Sequence, residues 1–260
     1  MEPVLKIYKI GGNVIDSEDA LQRFLGEFSE VKGPKLLVHG GGKIATRMSK
    51  ELGIQTQMID GRRVTDAATI DIVTMVYAGL INKKVTAQLQ KLGCNAIGLT
   101  GADANCVKAV KRPANPIDYG FVGDIYPDGI DADRIMSFVN GGLTPVFCAI
   151  NHDGNGLLLN CNADSVASAL AIAMARVMPT GLIFCFEKEG LLRDVDDPES
   201  VISGITHNSY TILREEGVIT DGMIPKVENA LKAIDAGVKT VTIRSSKNIL
   251  TSSGTTIKPD

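Results

Sequence analysis

Two apolar stretches, residues 4–10 (VLKIYKI) and 35–39 (KLLVH), each run straight into consecutive glycines, and a helical pattern follows each. A strand that ends in glycine and turns into a helix brings bare backbone N–H groups to its carboxyl end. The first helical pattern, SEDALQRFLGEFSEV, places Leu21, Phe24, Leu25 and Phe28 on one face, with Asp16 or Ser17 as cap. The second, KIATRMSKELG, closes on Gly53 as its C′ residue. Residues 67–92 read as one long helix, with Ile70, Val73, Tyr77, Leu80 or Ile81, Val85, Leu89 and Leu92 in register. CNAIGLTG is again a strand ending in glycine. This repeating order implies an α/β chain with a mostly parallel sheet covered by helices on both faces.

Residues 105–130 break the rhythm. Alternation around Pro- and Gly-rich turns predicts a hairpin on the edge of that sheet. The pattern then resumes with LTPVFCAI, a second hairpin signal (HDGNG), and LLLN. ADSVASALAIAMARVM is a helix rich in small residues, GLIFCF a buried strand, GMIPKVENALKAIDAGV a helix and KTVTIR a last strand. The nearest thing to a boundary falls at 140–180, which suits two lobes of one body.

Composition removes several classes of function. A net charge of −3, with no block of like charge, argues against nucleic acid as the main partner. The basic KAVKRP stretch reads as a solvated strand and loop. The five cysteines (Cys94, Cys106, Cys148, Cys161, Cys185) are scattered, so neither a disulfide framework nor a zinc site is expected. No run of eighteen apolar residues or signal-like start occurs, and a soluble, cytoplasmic protein with no membrane partner is the expectation.

The glycine run at 40–42 admits three readings. A Walker A loop fails, because Lys43 is followed by Ile44 and position 37 is Leu. A dinucleotide fingerprint is met by Gly40, Gly42 and Ala45, with Asp60 at the distance of a ribose-binding acid. The third reading takes in KIGG (9–12), NCNAD (160–164) and DGMIPK (221–226). Each alone has an ordinary explanation as a solvated lysine, a turn with an N-cap, or a helix start. In order, two glycine turns, two lysines and several helix N-termini form a donor set suited to a phosphoryl group in transit.

At that point the sequence resembles the amino acid kinases, and within them the branch that phosphorylates acylated glutamate. The matching stretches are KIGGN, VHGGGK, DGRRVT, GLINKKV, IGLTGAD, LNCNADSVASALA, EEGVITDGMIPKVENALKA and the closing GTTI. The resemblance implies a three-layer α/β/α sandwich around an open, mostly parallel sheet. It divides the chain at about residue 160 into an acceptor lobe (1–160), which also carries the dimer interface, and an ATP lobe (161–260). It implies transfer of the γ-phosphoryl of MgATP to the side-chain carboxylate of N-acetyl-L-glutamate, or a related acylglutamate, in arginine or ornithine synthesis.

By the same resemblance, Lys9 and Lys226 bind the moving phosphoryl group and Asp164 holds both lysines. Gly11, Gly12, Gly41 and Gly42 supply backbone donors to phosphate. Arg63 meets the acceptor's α-carboxylate, with Asn160 and Asn162 placing its α-substituents. Mg²⁺ is held mainly by the nucleotide, so no protein metal ligand is named. Arginine-inhibited hexameric relatives resemble this chain plus an extra amino-terminal helix, so an arginine-insensitive homodimer is expected.

One stretch departs from the family pattern. FCFEKEGLL (184–192) stands where the resemblance expects an S/T-D-V-x-G loop at the nucleotide-binding edge. The acyl group stays open between N-acetyl and N-succinyl, the latter suggested by Lys108, Lys111 and Arg112. Glutamate 5-kinase and aspartokinase activities, a non-catalytic sensor, and an NAD-binding oxidoreductase relying on Asp60 are the alternatives.

Overall fold

In a computed structural model, which describes residues 2–59, 62–194, 196–197, 199–219, 223–251 and 253–260, the two glycine-ended stretches are strands β1 (Leu5–Ile10) and β2 (Lys35–His39). Helices α1 (Gly12–Asp16) and α2 (Glu18–Glu30) connect them, and α3 (Gly42–Glu51) follows β2. Next come β3 (Met58–Ile59), β4 (Arg62–Arg63), α4 (Ala67–Thr74), a π-helical segment (Met75–Ile81), α5 (Asn82–Lys91) and β5 (Ala96–Leu99). The middle of the chain forms β6 (Val107–Lys111), β7 (Gly123–Ile130), α6 (Ala132–Asn140), β8 (Thr144–Cys148), β9 (Ile150–His152) and β10 (Leu158–Asn160). The remainder is α7 (Ala163–Ala175), β11 (Thr180–Phe186), β12 (Gly204–Ile205), α8 (His207–Glu215), α9 (Ile224–Asp235), β13 (Thr240–Ser245) and β14 (Thr255–Ile257).

An eight-stranded sheet runs β12-β14-β13-β11-β1-β2-β8-β5, and every pairing but β13 with β14 is parallel. Alternation along its strands builds two cores. Leu5 and Ile7 of β1 and Leu182 and Phe184 of β11 pack with Val166 and Leu170 of α7 and Val227 and Leu231 of α9. Tyr8, Ile10, Ile183 and Cys185 face the other way, onto Phe24 and Phe28 of α2 and Val73, Val85 and Leu89 of the long helix. This is the expected α/β/α sandwich with a mostly parallel open sheet. All five cysteines are buried and unpaired, and no described helix is long and apolar enough to cross a membrane.

Several local expectations hold at atomic detail. Ser17 caps α2 by accepting from the Ala20 amide, and Gly53 follows α3 with φ of +73°. In the long helix Ile81 is buried while Leu80 is partly exposed. Val73, Tyr77, Ile81, Val85 and Leu89 recur every four residues, a spacing that drifts about 40° per step around an α-helix. The wider π turn at 75–81 absorbs that drift and keeps the stripe against the sheet.

The hairpin at 105–130 differs from expectation in its placement. β6 and β7 do pair antiparallel, but they join β9 and β10 in a separate four-stranded sheet, ordered β10-β9-β6-β7, which packs on α7. Alternation identifies a half-buried hairpin without saying which sheet it joins. Here Val107, Ala109 and Ile130 bury onto the core beneath α7. The strand expected to be last, at 239–244, is β13, and one more, β14, follows it. Asp60 of the dinucleotide reading, and Asp221 and Gly222 of DGMIPK, lie outside the described residues.

Candidate active site

The odd-numbered face of β1 holds two core side chains, Leu5 and Ile7, and then Lys9. Carried along that face, the Lys9 side chain reaches the first turn of α7, where its Nζ lies 2.8 Å from Asp164 Oδ1. Lys9 is buried, whereas Asp164 is half exposed and supports α7 by its position in the first turn. Lys226 sits in the first turn of α9. A cation there opposes the helix dipole and favours the arrival of an anion. Both ammonium groups approach the ring of Phe186 on β11, Lys9 at 5.6 Å and Lys226 at 4.7 Å from its centroid. Among the described residues Asp164 pairs with Lys9 and not with Lys226, so it does not clamp both lysines here.

The glycine turns leave helix N-termini open. Gly11 and Gly41 are the N-cap residues of α1 and α3, which have no side-chain cap and no acidic residue in the first turn. Their first N–H groups therefore remain free to bind an anion. Gly41 has φ of +157°, and a Cβ there would fall 2.3 Å from Ile81 Cδ1. Gly11 differs, since a Cβ there would meet nothing within 4 Å.

Three adjoining cavities surround these groups. One of about 250 Å³ is lined by Lys9, Gly12, Gly40–Gly42, Arg62, Arg63, Tyr77, Asn160 and Asn162. A second, of about 430 Å³, lies between Gly11–Val14, Lys43, Phe186–Lys188 and Lys226. The third, of about 400 Å³, extends along α7 and α9 past Ser165, Ile172, Phe184, Asn229 and Lys232. Lys9 and Gly12 stand where the first two meet; Lys226 and Phe186 stand where the second meets the third.

In the smallest cavity Arg63 is buried on β4, and Nη2 donates to Gly42 O at 2.9 Å and Thr46 Oγ1 at 2.8 Å while Nη1 donates to Thr56 Oγ1. Guanidinium has five N–H donors, so two, one on Nε and one on Nη1, remain for a ligand. Asn160 donates through Nδ2 to Thr65 Oγ1 at 3.1 Å. Asn162 is the N-cap of α7, and its Oδ1 accepts from the Asp164 and Ser165 amides. Its amide nitrogen is the polar end left for a ligand.

This combination of open helix N-termini, paired lysines and a buried arginine agrees with comparison to known proteins. The model of the amino acid kinase family matches residues 5–245. The chain belongs to this family. It is 52% identical over 247 residues to the acetylglutamate kinase of Cytophaga hutchinsonii, covering 95% of this chain and 93% of that one. It is 48% identical to the acetylglutamate kinase of Phocaeicola vulgatus, covering 99% of this chain and 100% of that one. Among solved structures it is similar to smu.665 from Streptococcus mutans UA159, with a TM-score of 0.77 and 29% identity over 98% of this chain and 99% of that chain.

In this amino acid kinase the hairpin cations do not line the smallest cavity. Arg112 pairs with Asp124, Lys111 lies over Phe121, and Lys108 packs beside Gly154. A cation that lines it beside Lys9 and Arg63 is Arg62, which sequence reasoning passed over. Strand alternation would turn it away from the side of Arg63, so the sequence carried no signal for it. Phe186 was likewise noted only as part of a departing loop. That loop is tied across the second cavity, since Asn13 bonds both Glu187 and Lys43.

His39 supports the glycine turn from beneath. Fully buried, it donates from Nδ1 to Gly40 O at 2.8 Å and accepts at Nε2 from Asn82 Nδ2 at 3.1 Å. Burial pushes its imidazole down from 6.5 to about 4. The unfolded chain therefore takes up a proton near pH 6.5 that the folded one refuses until about pH 4. Stability is full above pH 6.5 and falls as pH drops toward 4, by about 3 kcal/mol at 1.36 kcal/mol per pH unit. Urea unfolding at pH 7 and 4.5 measures this, and His39→Gln is expected to flatten the fall.

Proposed function

We propose that this chain phosphorylates the side-chain carboxylate of N-acetyl-L-glutamate, or of a related N-acyl-L-glutamate, with ATP, in arginine or ornithine synthesis. The observation that carries this reading is that Lys9 and Lys226 both line the second cavity, Lys9 at its junction with the first and Lys226 at its junction with the third. In it the smallest cavity takes the acceptor and the two larger ones take the nucleotide. The acceptor lobe is then residues 1–160 and the nucleotide lobe 161–260.

The acceptor carboxylate is ionised at neutral pH, so it needs no general base. One of its oxygens attacks the γ-phosphorus, the bond from phosphorus to the ADP oxygen breaks, and an acyl phosphate and ADP result. Two anions must approach, and compact ammonium groups on either side offset their repulsion. Lys9 and Lys226 take that role, Asp164 fixes Lys9, and amides at Gly11, Gly12, Gly41 and Gly42 bind phosphate oxygens. In this reading Mg²⁺ travels with the nucleotide, where it offsets charge on the phosphate oxygens.

Arg63 holds the acceptor's α-carboxylate through its remaining donors, with Asn160 and the amide of Asn162 beside it. Arg63→Lys keeps the charge and loses the planar donor set that is fixed by Gly42, Thr46 and Thr56. It is expected to raise KM for the acylglutamate roughly tenfold to a hundredfold, the worth of about 1.5–3 kcal/mol for a charged hydrogen bond. Steady-state kinetics in the acceptor concentration test this. A homodimer joined through the lobe that holds α4 and α5 completes the reading, and light scattering at twice the chain mass checks it. Buried reduced cysteines suit a cytoplasmic setting.

Arg62 lines the acceptor cavity and favours a second reading, in which the acyl group is itself an anion such as N-succinyl. A panel separates these. ADP formation is measured with N-acetyl-L-glutamate, N-succinyl-L-glutamate, free L-glutamate and L-aspartate. Turnover confined to acylated glutamate supports the proposal, and preference for the succinyl compound that is lost in Arg62→Leu supports the second reading. Turnover of free glutamate or aspartate alone overturns both.

A further inference from the structure

We infer that Phe186 is a positioning residue for phosphoryl transfer, an aromatic platform that orients Lys9 and Lys226 before substrates bind. The inference rests on the functional reading above and adds to it a residue from the stretch that departs from the family pattern.

The geometry is specific. Lys9 comes from β1 and Lys226 from α9, elements far apart in the chain, yet both ammonium groups lie within reach of one ring, at 5.6 and 4.7 Å. An ammonium within about 6 Å of an aromatic face is attracted by the ring's quadrupole. The ring is fixed in turn. It stacks on Phe184 with centroids 6.1 Å apart and an interplanar angle of 22°, and Phe184 is the residue paired with Lys9 across the sheet. Asp164 reaches Lys9 but, among the described residues, not Lys226.

Two like charges drawn to one ring repel each other. A second carboxylate between them would offset that repulsion, but it would also oppose an incoming phosphate. A neutral ring attracts both cations and leaves their charge available to the anion. Phe186 also lines both nucleotide-sized cavities, so it stands where a terminal phosphate would meet the two lysines. Its part is to hold groups that act on substrate, with no contact to a breaking bond.

The test keeps the shape of the ring and changes its charge distribution. Phenylalanine carrying one, two or three fluorines is placed at position 186, and kcat is measured alongside Phe186→Leu and Phe186→Tyr. The expected result is a stepwise fall in log kcat with each fluorine, a loss of roughly tenfold in Phe186→Leu and near-normal turnover in Phe186→Tyr. KM for the acylglutamate should move less than twofold to threefold. A second readout needs no activity. Lysines are reductively methylated with ¹³C, which retains their charge, and the methyl resonances of Lys9 and Lys226 should be shifted upfield by the ring and lose that shift in Phe186→Leu.

Unshifted resonances in the wild type, or a flat response of kcat to fluorination, would overturn the inference and leave Phe186 as packing alone. If the wild type turns over no acylglutamate, the functional reading falls by itself. The fluorine series is then read on binding of tripolyphosphate, where a graded loss of affinity supports the platform and a flat series overturns it.

Discussion

Lys226→Ala is expected to lower kcat by roughly a hundred- to a thousandfold, the scale of removing one preorganised donor from a charge-stabilising site. Lys226 is exposed, so the substitution should leave stability within about 0.5 kcal/mol of the wild type. That combination separates lost chemistry from lost fold. Lys9→Ala should lose a similar factor in kcat. It should also lose some stability, because Lys9 is buried and pairs with Asp164 at 2.8 Å. Both lysines act on one phosphoryl group, so the double variant should lose less than the product of the two single effects. Rapid-quench kinetics and urea unfolding on the same preparations measure all of this.

Gly41→Ala should be among the most damaging ways to add one methyl group to this chain. The new Cβ would lie 2.3 Å from Ile81 Cδ1 and 3.0 Å from Tyr77 Cδ1, at a backbone φ of +157°. Ile81 and Tyr77 are buried on the long helix and cannot swing into solvent. Overpacking together with backbone strain should cost about 2–4 kcal/mol. Ile81→Val removes the clashing methyl and should recover part of that loss, so the double variant is more stable than additivity allows. Gly11→Ala makes the contrast. Its Cβ meets nothing within 4 Å, so stability should change by no more than about 0.5 kcal/mol. Turnover should still fall, because the methyl enters the space assigned to phosphate.

The layers of the fold were readable because β1 and β2 each join a buried strand, a glycine turn and a helix in consecutive residues. What escaped reading depends on contacts between distant segments. The hairpin of β6 and β7 announces itself by alternation, but its sheet is decided by β9 and by packing under α7. β12 and β14, with two and three residues, are too short to show any period. The π segment is legible only in hindsight, as a strict four-residue spacing.

The candidate site shows the same division. Lys9, the glycine turns and Lys226 lie at the ends of elements, where the chain pattern points to them. Asn162 satisfies an ordinary reading and a functional one together, because its oxygen caps α7 while its amide lines the cavity. The partner of Asp164, the reach of Arg62 and the place of Phe186 beneath two lysines are products of the folded arrangement.

The central claim is that the γ-phosphoryl group moves onto the side-chain carboxylate of an acylated glutamate. Trapping the product with hydroxylamine tests it most directly, because an acyl phosphate is converted to a stable hydroxamate at the carbon that carried the phosphoryl group. The expected result is one hydroxamate per ADP, located on the side-chain carboxyl by mass spectrometry and reduced in parallel with turnover in Lys226→Ala. ADP formed without hydroxamate, or a hydroxamate on the α-carboxyl, would contradict the claim.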